Sequence, residues 1–265
     1  MLTDEQLEYI SDALKPLFQY LEHEVIIDTA KRIKESLAYT RTAELEAQAM
    51  RKLGYSPSRI RKEAMKLLRA DADFRKTVAK NTLDHKKEVK KLLRDIEKKA
   101  YKANDKIFSD VGDLSRMDDL RLWRSHGEEL TDSSYLSNLV GGFRKQTHDE
   151  LRNLTRTTGF KSVSGFESVQ GVYRNELDKA LIKVCSGTFS REQATYDAVH
   201  NMAQSGLRTV DYSSGRHMQL DTAAKLALRT GAHQLAGQIA KENIMRSGHN
   251  LVYVTKHWGA RNEGT

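Results

Sequence analysis

The chain of 265 residues carries 44 Lys and Arg against 36 Asp and Glu, a formal net charge of +8, with 7% aromatic residues, two prolines and one cysteine. A single cysteine excludes a disulfide framework within the chain and points to a reducing compartment, and 30% charged residues with so few aromatics favour an extended helical protein with modest cores over a compact β fold. The acidic opening from Met1 to Gln6 leads into no continuous apolar run, so the reading is a soluble protein with neither signal peptide nor membrane span.

Thr3 and Gln6 form a capping box, and Leu7, Ile10, Leu14, Leu17 and Leu21 follow at helical steps. Pro16 interrupts that stripe. Either the helix kinks there, or a short helix ends near Ser11 and a second begins with Pro16 in its first turn, reaching about Leu37. Thr42 is expected to cap a helix from Ala43 to Leu53, with Gly54 as its stop and Ser56-Pro57 opening the next one. Short loops between such elements predict antiparallel helices.

Between Arg51 and Lys106 there are 19 Lys and Arg against 8 Asp and Glu, an excess larger than the +8 of the whole molecule. Here Val89, Leu93, Ile96, Ala100, Ala103 and Ile107 recur at steps of three and four, while Lys86, Lys87, Lys90, Lys91, Arg94, Lys98 and Lys102 occupy other faces. One side packs and the others carry charge. A lysine-rich surface can be a merely solvated helix, or an arm that gains by displacing counterions from nucleic-acid phosphates. Phe74, Tyr101 and Phe108 are too sparse for a base-stacking platform, so sequence specificity is not expected.

Gly112, then Ser115 and Arg116, is expected to end the long basic helix. The expected division is an N-terminal helical lobe over residues 1–112, a boundary segment over 113–130 containing Trp123, His126 and Gly127, and a C-terminal helical lobe over 131–265. Tyr135, Leu136, Leu139, Val140 and Phe143 are placed facing a core, with Gly141-Gly142 marking a bend or a close helix contact. Thr157 to Gly159 and Ser162 to Gly165 read as loops. Glu167 to Val184 reads as a helix whose inner face is Val169, Val172, Tyr173, Leu177, Ala180, Leu181 and Val184, and Ser190 with Gln193 predicts a further capped helix that Gly206 ends.

The most fully specified stretch runs from Tyr212 to Arg261. Asp221 is expected to cap a long helix whose apolar face includes Ala224, Leu228, Gly231, Leu235 and Ile239, with Ala227, Gly231 and Ala232 keeping it thin enough for another helix to approach. Gly248 should stop that helix, and Leu251 to Thr255 reads as a strand. The fold class is thus mainly α: an extended basic helical N-terminal lobe and a helical C-terminal lobe leading into a small α+β element.

A search for chemistry finds no phosphate loop, no His-Glu-x-x-His, no Cys-x-x-Cys and no Gly-x-Ser-x-Gly elbow, so no enzyme is assigned and no cofactor is implied. Cys185, among Leu181, Ile182 and Val184, reads as a buried small hydrophobe. His217, His233, His249 and His257 match no local metal-ligand spacing. His257 and Arg261 follow the terminal strand and are read as a staple between loop and helix layer, with anion or metal binding as the other reading. A buried Arg229, next to Thr230, would need a carboxylate partner that sequence does not name.

The segments Tyr212-x-Ser214-Gly215-Arg216, Ala227-x-Arg229-Thr230 and His257-x-Gly259-Ala260-Arg261 resemble those of the phage minor capsid protein 2 family, itself similar to the phage Mu protein F-like head morphogenesis group. In that family the last segment continues into further β-rich sequence, which is absent here. The resemblance implies a structural minor capsid protein of a tailed bacteriophage, made in the host bacterial cytoplasm and located inside the head near the portal vertex, acting in head morphogenesis and DNA packaging or delivery. Its implied partners are the portal protein and packaged double-stranded DNA, with the major capsid protein or further copies of itself as additional candidates. Two rivals stay open: a non-virion nucleic-acid-binding scaffold, and the N-terminal part of an enzyme or toxin fusion whose catalytic region is absent.

Overall fold

Capping chemistry and apolar periodicity set most element boundaries in the computed structural model, which describes residues 3–125, 134–162, 165–210 and 217–246. Helix α1 (Asp4–Asp12) opens with the reciprocal box: Thr3 Oγ1 accepts from the Gln6 N–H at 3.2 Å and Gln6 Oε1 accepts from the Thr3 N–H at 2.8 Å. Helix α2 (Lys15–Leu37) starts with Pro16 in its first turn, where a missing N–H costs nothing. The stripe is therefore broken into two helices rather than kinked.

Helix α3 is Arg41–Lys52, and its N-cap is Thr40, not the expected Thr42. Thr40 is fully buried and its hydroxyl donates to the Leu37 carbonyl at 2.7 Å, so the turn from α2 into α3 is closed by the end of the preceding helix. Gly54, at φ +78°, stops α3 in the left-handed conformation that glycine adopts without strain. Ser56 and Pro57 then open α4 (Pro57–Ala70). Asp71 leaves the helical region, and its Oδ1 accepts from the Phe74 N–H at 2.9 Å, which starts α5 (Ala72–Ser125).

Helix α5 has 54 residues, about 80 Å at ~1.5 Å per residue, and it does not end at Gly112. Gly112 is buried, and a Cβ there would lie 3.0 Å from Val140 Cγ2. The residue gives close approach to the next helix instead of a stop. That helix, α6 (Ser134–Arg156), runs unbroken through Gly141 and Gly142, and a Cβ at either would meet nothing within 4 Å. Among the described residues the expected close contact at this pair is absent. Leu136, Leu139, Val140 and Phe143 pack against the core as expected, while Tyr135 is exposed.

Thr158 and Gly159, expected in a loop, begin a strand, and of the expected loop Ser162 to Gly165 the first residue ends one strand and the last starts the next, residues 163 and 164 lying outside the described residues. β1 (Thr158–Ser162) pairs antiparallel with β2 (Gly165–Ser168) and with β3 (Leu207–Val210), and β3 pairs with β4 (His217–Gln219), giving the order β2-β1-β3-β4. Phe160 of β1 stands opposite Glu167 and Leu207, and Phe160 and Leu207 are both buried. β1 is short, with one Gly and one Ser in its five residues, so local propensity is weak; the strand is held by the adjacent β2, by β3 some fifty residues away, and by burial of that aromatic ring.

Ser168 closes β2 and caps α7 (Val169–Cys185), accepting from the Gly171 N–H, so the helix begins two residues later than Glu167. All seven residues assigned to its inner face are buried. In α8 (Arg191–Ser205) Ser190 caps through the Gln193 N–H at 3.1 Å, but the Gln193 side chain reaches Asp197 instead of closing the box. Gly206 ends α8 at φ +65°. The last described helix, α9 (Leu220–Arg246), starts one residue before its expected cap; Asp221 sits in the first turn and accepts from the Thr222 N–H at 2.6 Å. Gly248, the Leu251 to Thr255 strand and the boundary residues His126 and Gly127 lie outside the described residues. The fold among the described residues is mainly helical with one small antiparallel sheet.

The described residues form two apolar cores. One joins α1, the first half of α2, the middle of α5, α6, β1, β3 and α9. The other joins the end of α2, α3, α4, the start of α5, α7 and α8. Helices α2 and α5 lie side by side and pass through both. Where they cross from one core to the other, apolar packing gives way to a polar seam. His85 is fully buried, and its Nδ1–H donates to Asp28 Oδ2 at 2.7 Å. Arg32 Nε reaches Asp28 Oδ1 at 3.2 Å, and Asn81 Nδ2 donates to Ser36 Oγ at 3.1 Å. Burial alone would raise the Asp28 carboxyl; the His85 hydrogen bond and the His85 and Arg32 charges outweigh it and hold the group below the ordinary carboxylate range.

Candidate nucleic-acid interface

At 100° per residue the seven cations Lys86, Lys87, Lys90, Lys91, Arg94, Lys98 and Lys102 fall within an arc of about 160° on α5. Val89, Leu93, Ile96, Ala100, Ala103 and Ile107 fall within an opposite arc of about 80°. The structure obeys this division. Val89, Ile96, Ala100 and Ile107 are buried and Leu93 and Ala103 partly buried, whereas all seven cations are exposed. Packing against α2, α6 and α9 thus fixes which face of α5 is wet.

The cations extend over about 24 Å of helix at ~1.5 Å per residue. Among the described residues Lys91 approaches Glu88 at 3.9 Å, while the other six have no carboxylate within ion-pair distance. The neighbouring Lys99 lies over the Tyr20 ring at 5.7 Å. Such a face has a positive potential that its own acids do not cancel.

Beside this face a groove of about 590 Å³ runs between α5, the end of α6 and the start of α7. Lys90, Arg94 and Glu97 line it from α5, Arg152 and Arg156 from α6, and Ser168, Val169 and Gln170 from the α7 entrance. Arg152 Nε lies 3.6 Å from Glu97 Oε1, and the same carboxylate oxygen accepts from Tyr101 at 2.8 Å. Burial, followed by the hydrogen bond and charge of Glu97, pushes the Tyr101 hydroxyl up to about 12. A second shallow depression, lined by Lys87, Lys90, Lys91, Arg94, Asp95 and Lys98, shares Lys90 and Arg94 with the groove. Arg152 and Arg156 were not singled out from sequence; their four-residue spacing on α6 is the signal that puts them on one face.

The remaining candidates are more ordinary. Arg229 is not buried: it is exposed, with Nη1 at 3.5 Å from Glu8 Oε2, and Thr230 is exposed beside it. Lys225 contacts Glu8 and lies 3.0 Å from Asp12, so α1 and α9 are clasped by charge. Cys185 is fully buried, and burial followed by the Glu44 charge pushes its thiol up to about 11, which suppresses the thiolate needed for nucleophilic attack. His217 stacks on Phe166 with centroids 5.2 Å apart, and His233 is exposed on α9. Among the described residues no group of three His, Cys, Asp or Glu is placed to hold a metal ion. Tyr212, Ser214, Gly215, Arg216, His249, His257, Gly259, Ala260 and Arg261 lie outside the described residues.

The arrangement defines a mainly helical protein with one small sheet and a basic helix face, and among the described residues no helix is long and apolar enough to cross a membrane. Comparison with known proteins gives the family: residues 2–264 match the model of Phage minor capsid protein 2, and the chain belongs to that family. It is also similar to a protein named "Structural protein" from Lactococcus phage LL-H, 20% identical over 170 residues. That alignment covers 60% of this chain and 46% of the relative, so the chain spans less than half the length of the curated protein it matches. No solved structure matches. The protein is a phage structural protein and a virion component.

Proposed function

We propose that this protein is a minor component of the capsid interior near the portal vertex, acting in head morphogenesis and in DNA packaging or delivery, and that α5 lies against packaged double-stranded DNA. The single observation that carries the DNA reading is the arc of seven exposed cations, six of them without an ion-pair partner among the described residues. Phosphate contact of this kind is sequence-independent and releases condensed counterions, so affinity falls steeply with salt. The role is physical and not catalytic. Apolar and charged surfaces away from α5 dock on the portal protein, the major capsid protein or other copies of the chain.

Changing Lys86, Lys87, Lys90, Lys91 and Arg94 together to Glu tests the DNA contact. The expected result is loss of duplex binding at 50 mM salt with an unchanged far-UV circular dichroism spectrum; wild-type affinity would overturn the reading. Quantitative mass spectrometry of nuclease-treated virions tests the location. A few to about a dozen copies per particle are expected for a component of one vertex with cyclic symmetry, and absence from particles would overturn the placement.

A further inference from the structure

Resting on that reading, we infer that the DNA seat is not the α5 face alone but a track crossing from α5 into the groove bounded by α6 and α7, where Arg152 and Arg156 take phosphates of the same duplex. The two depressions meet at Lys90 and Arg94, so the basic surface is continuous. Along it stand seven cations, five on α5 and two on α6, against the carboxylates of Asp95 and Glu97.

Size and chemistry both fit a duplex backbone. From Lys87 to Lys98 the track follows α5 for about 17 Å, which spans about five phosphates of one strand at ~3.4 Å of axial spacing. Among the described residues the groove lining contains no aromatic side chain on which a base could stack. Two of its hydroxyls are committed as donors, Thr155 to the Arg152 carbonyl at 2.8 Å and Thr158 to the Leu154 carbonyl at 2.9 Å, while Ser168 accepts from the Gly171 N–H and keeps its own proton to donate. The charged donors of the groove are guanidinium and ammonium, with the Ser168 hydroxyl and the Gln170 amide as neutral donors beside them, a set that suits phosphate.

Glu97 has a distinct place in this arrangement. Among the described residues it is the one carboxylate lining the groove, it lies 3.6 Å from Arg152, and it stands where phosphate would come. Binding exchanges that weak internal pair for an Arg–phosphate pair. Removing the Glu97 charge should thus strengthen binding, in the direction opposite to loss of the arginines.

The test is anisotropy of a fluorescent random-sequence 24-base-pair duplex titrated with the full chain between 50 and 200 mM salt. Arg152→Gln/Arg156→Gln should lower the slope of log K against log salt by about 1.8, so the ratio of wild-type to variant affinity falls about twelvefold across that range. Arg152→Lys/Arg156→Lys should keep the wild-type slope, separating charge from packing. Glu97→Gln should tighten binding about fivefold at the lower salt, while Glu46→Gln, an exposed change on α3, leaves it unaltered. If the Gln pair keeps the wild-type slope while charge reversal on α5 abolishes binding, the groove is refuted and the α5 contact stands. Wild-type binding by both refutes both. If the Gln pair loses binding of polyglutamate but not of duplex, the groove serves an acidic protein and the inference fails.

Discussion

Gly231 sits where α9 meets two other helices, and its replacement by alanine puts a number on how tightly they are packed. A Cβ at that position would lie 2.4 Å from Thr147 Oγ1 on α6 and 2.9 Å from Phe108 Cζ on α5. Ordinary contact is about 3.5–4.0 Å between carbon atoms, so the Phe108 ring must retreat by about 0.6–1.1 Å. Neither neighbour has room. Thr147 is 1% exposed and Phe108 is fully buried. Overpacking of this kind costs about 1–3 kcal/mol, offset by about 1 kcal/mol of helix propensity gained when glycine becomes alanine. Gly237 lies on the same helix with nothing within 4 Å of its would-be Cβ, so Gly237→Ala keeps the gain without the clash. The two variants should differ by about 1–3 kcal/mol, or about 2–10 °C in melting midpoint for a chain of this size. Thermal unfolding followed by circular dichroism, with urea midpoints at constant slope, measures the gap. Gly231→Ala melting at or above Gly237→Ala would refute the packing argument.

Other outcomes follow from the same structure. Gly141→Ala and Gly142→Ala should each raise stability by about 1 kcal/mol, because α6 runs through both and no described residue lies within 4 Å of either added Cβ; a lower urea midpoint for either would contradict this. Asp28→Asn breaks the buried link to His85 and Arg32 and should cost about 3 kcal/mol at pH 7. Since the folded state holds the Asp28 carboxyl below its unfolded value of about 3.9, that stabilisation is complete above this value and fades as pH falls through the folded one. The gap between wild type and variant should therefore close in acid, and a gap independent of pH down to 2 would contradict the assignment. Cys185 should resist a thiol-specific reagent at pH 8 in the folded protein and react fully in urea, since burial both shields the sulfur and raises its pKa to about 11. Rapid labelling of the native chain would reverse that reading.

The elements legible in the sequence were those set by local chemistry. The Thr3–Gln6 box, Pro16 in a first turn, the stops at Gly54 and Gly206 and the apolar face of α7 each depend on residues within one or two turns of each other. What escaped depends on partners far along the chain. β1 gains one of its two ladders from β3, and the Asp28–His85 contact joins positions 57 apart. Gly112 looks like a stop until Val140 of another helix is seen against it. The candidate interface divides in the same way. The α5 cations were readable as a charged arc opposite an apolar one, but the groove needed α6 and α7 brought alongside, which no window of the chain contains.

The clasp between α1 and α9 bears on how the protein is made. Glu8 meets Lys225 across 217 positions, so Leu7 and Ile10 have no α9 to lie against until the last described helix has left the ribosome. At ~5–20 residues per second that interval is about 10–40 s. Throughout it the first helix has an apolar stripe open to water and to other nascent chains. Completion of the larger core therefore waits for α9 and has high contact order, and the emerging chain is most open to aggregation, or to capture by a chaperone, before α1 and α9 meet.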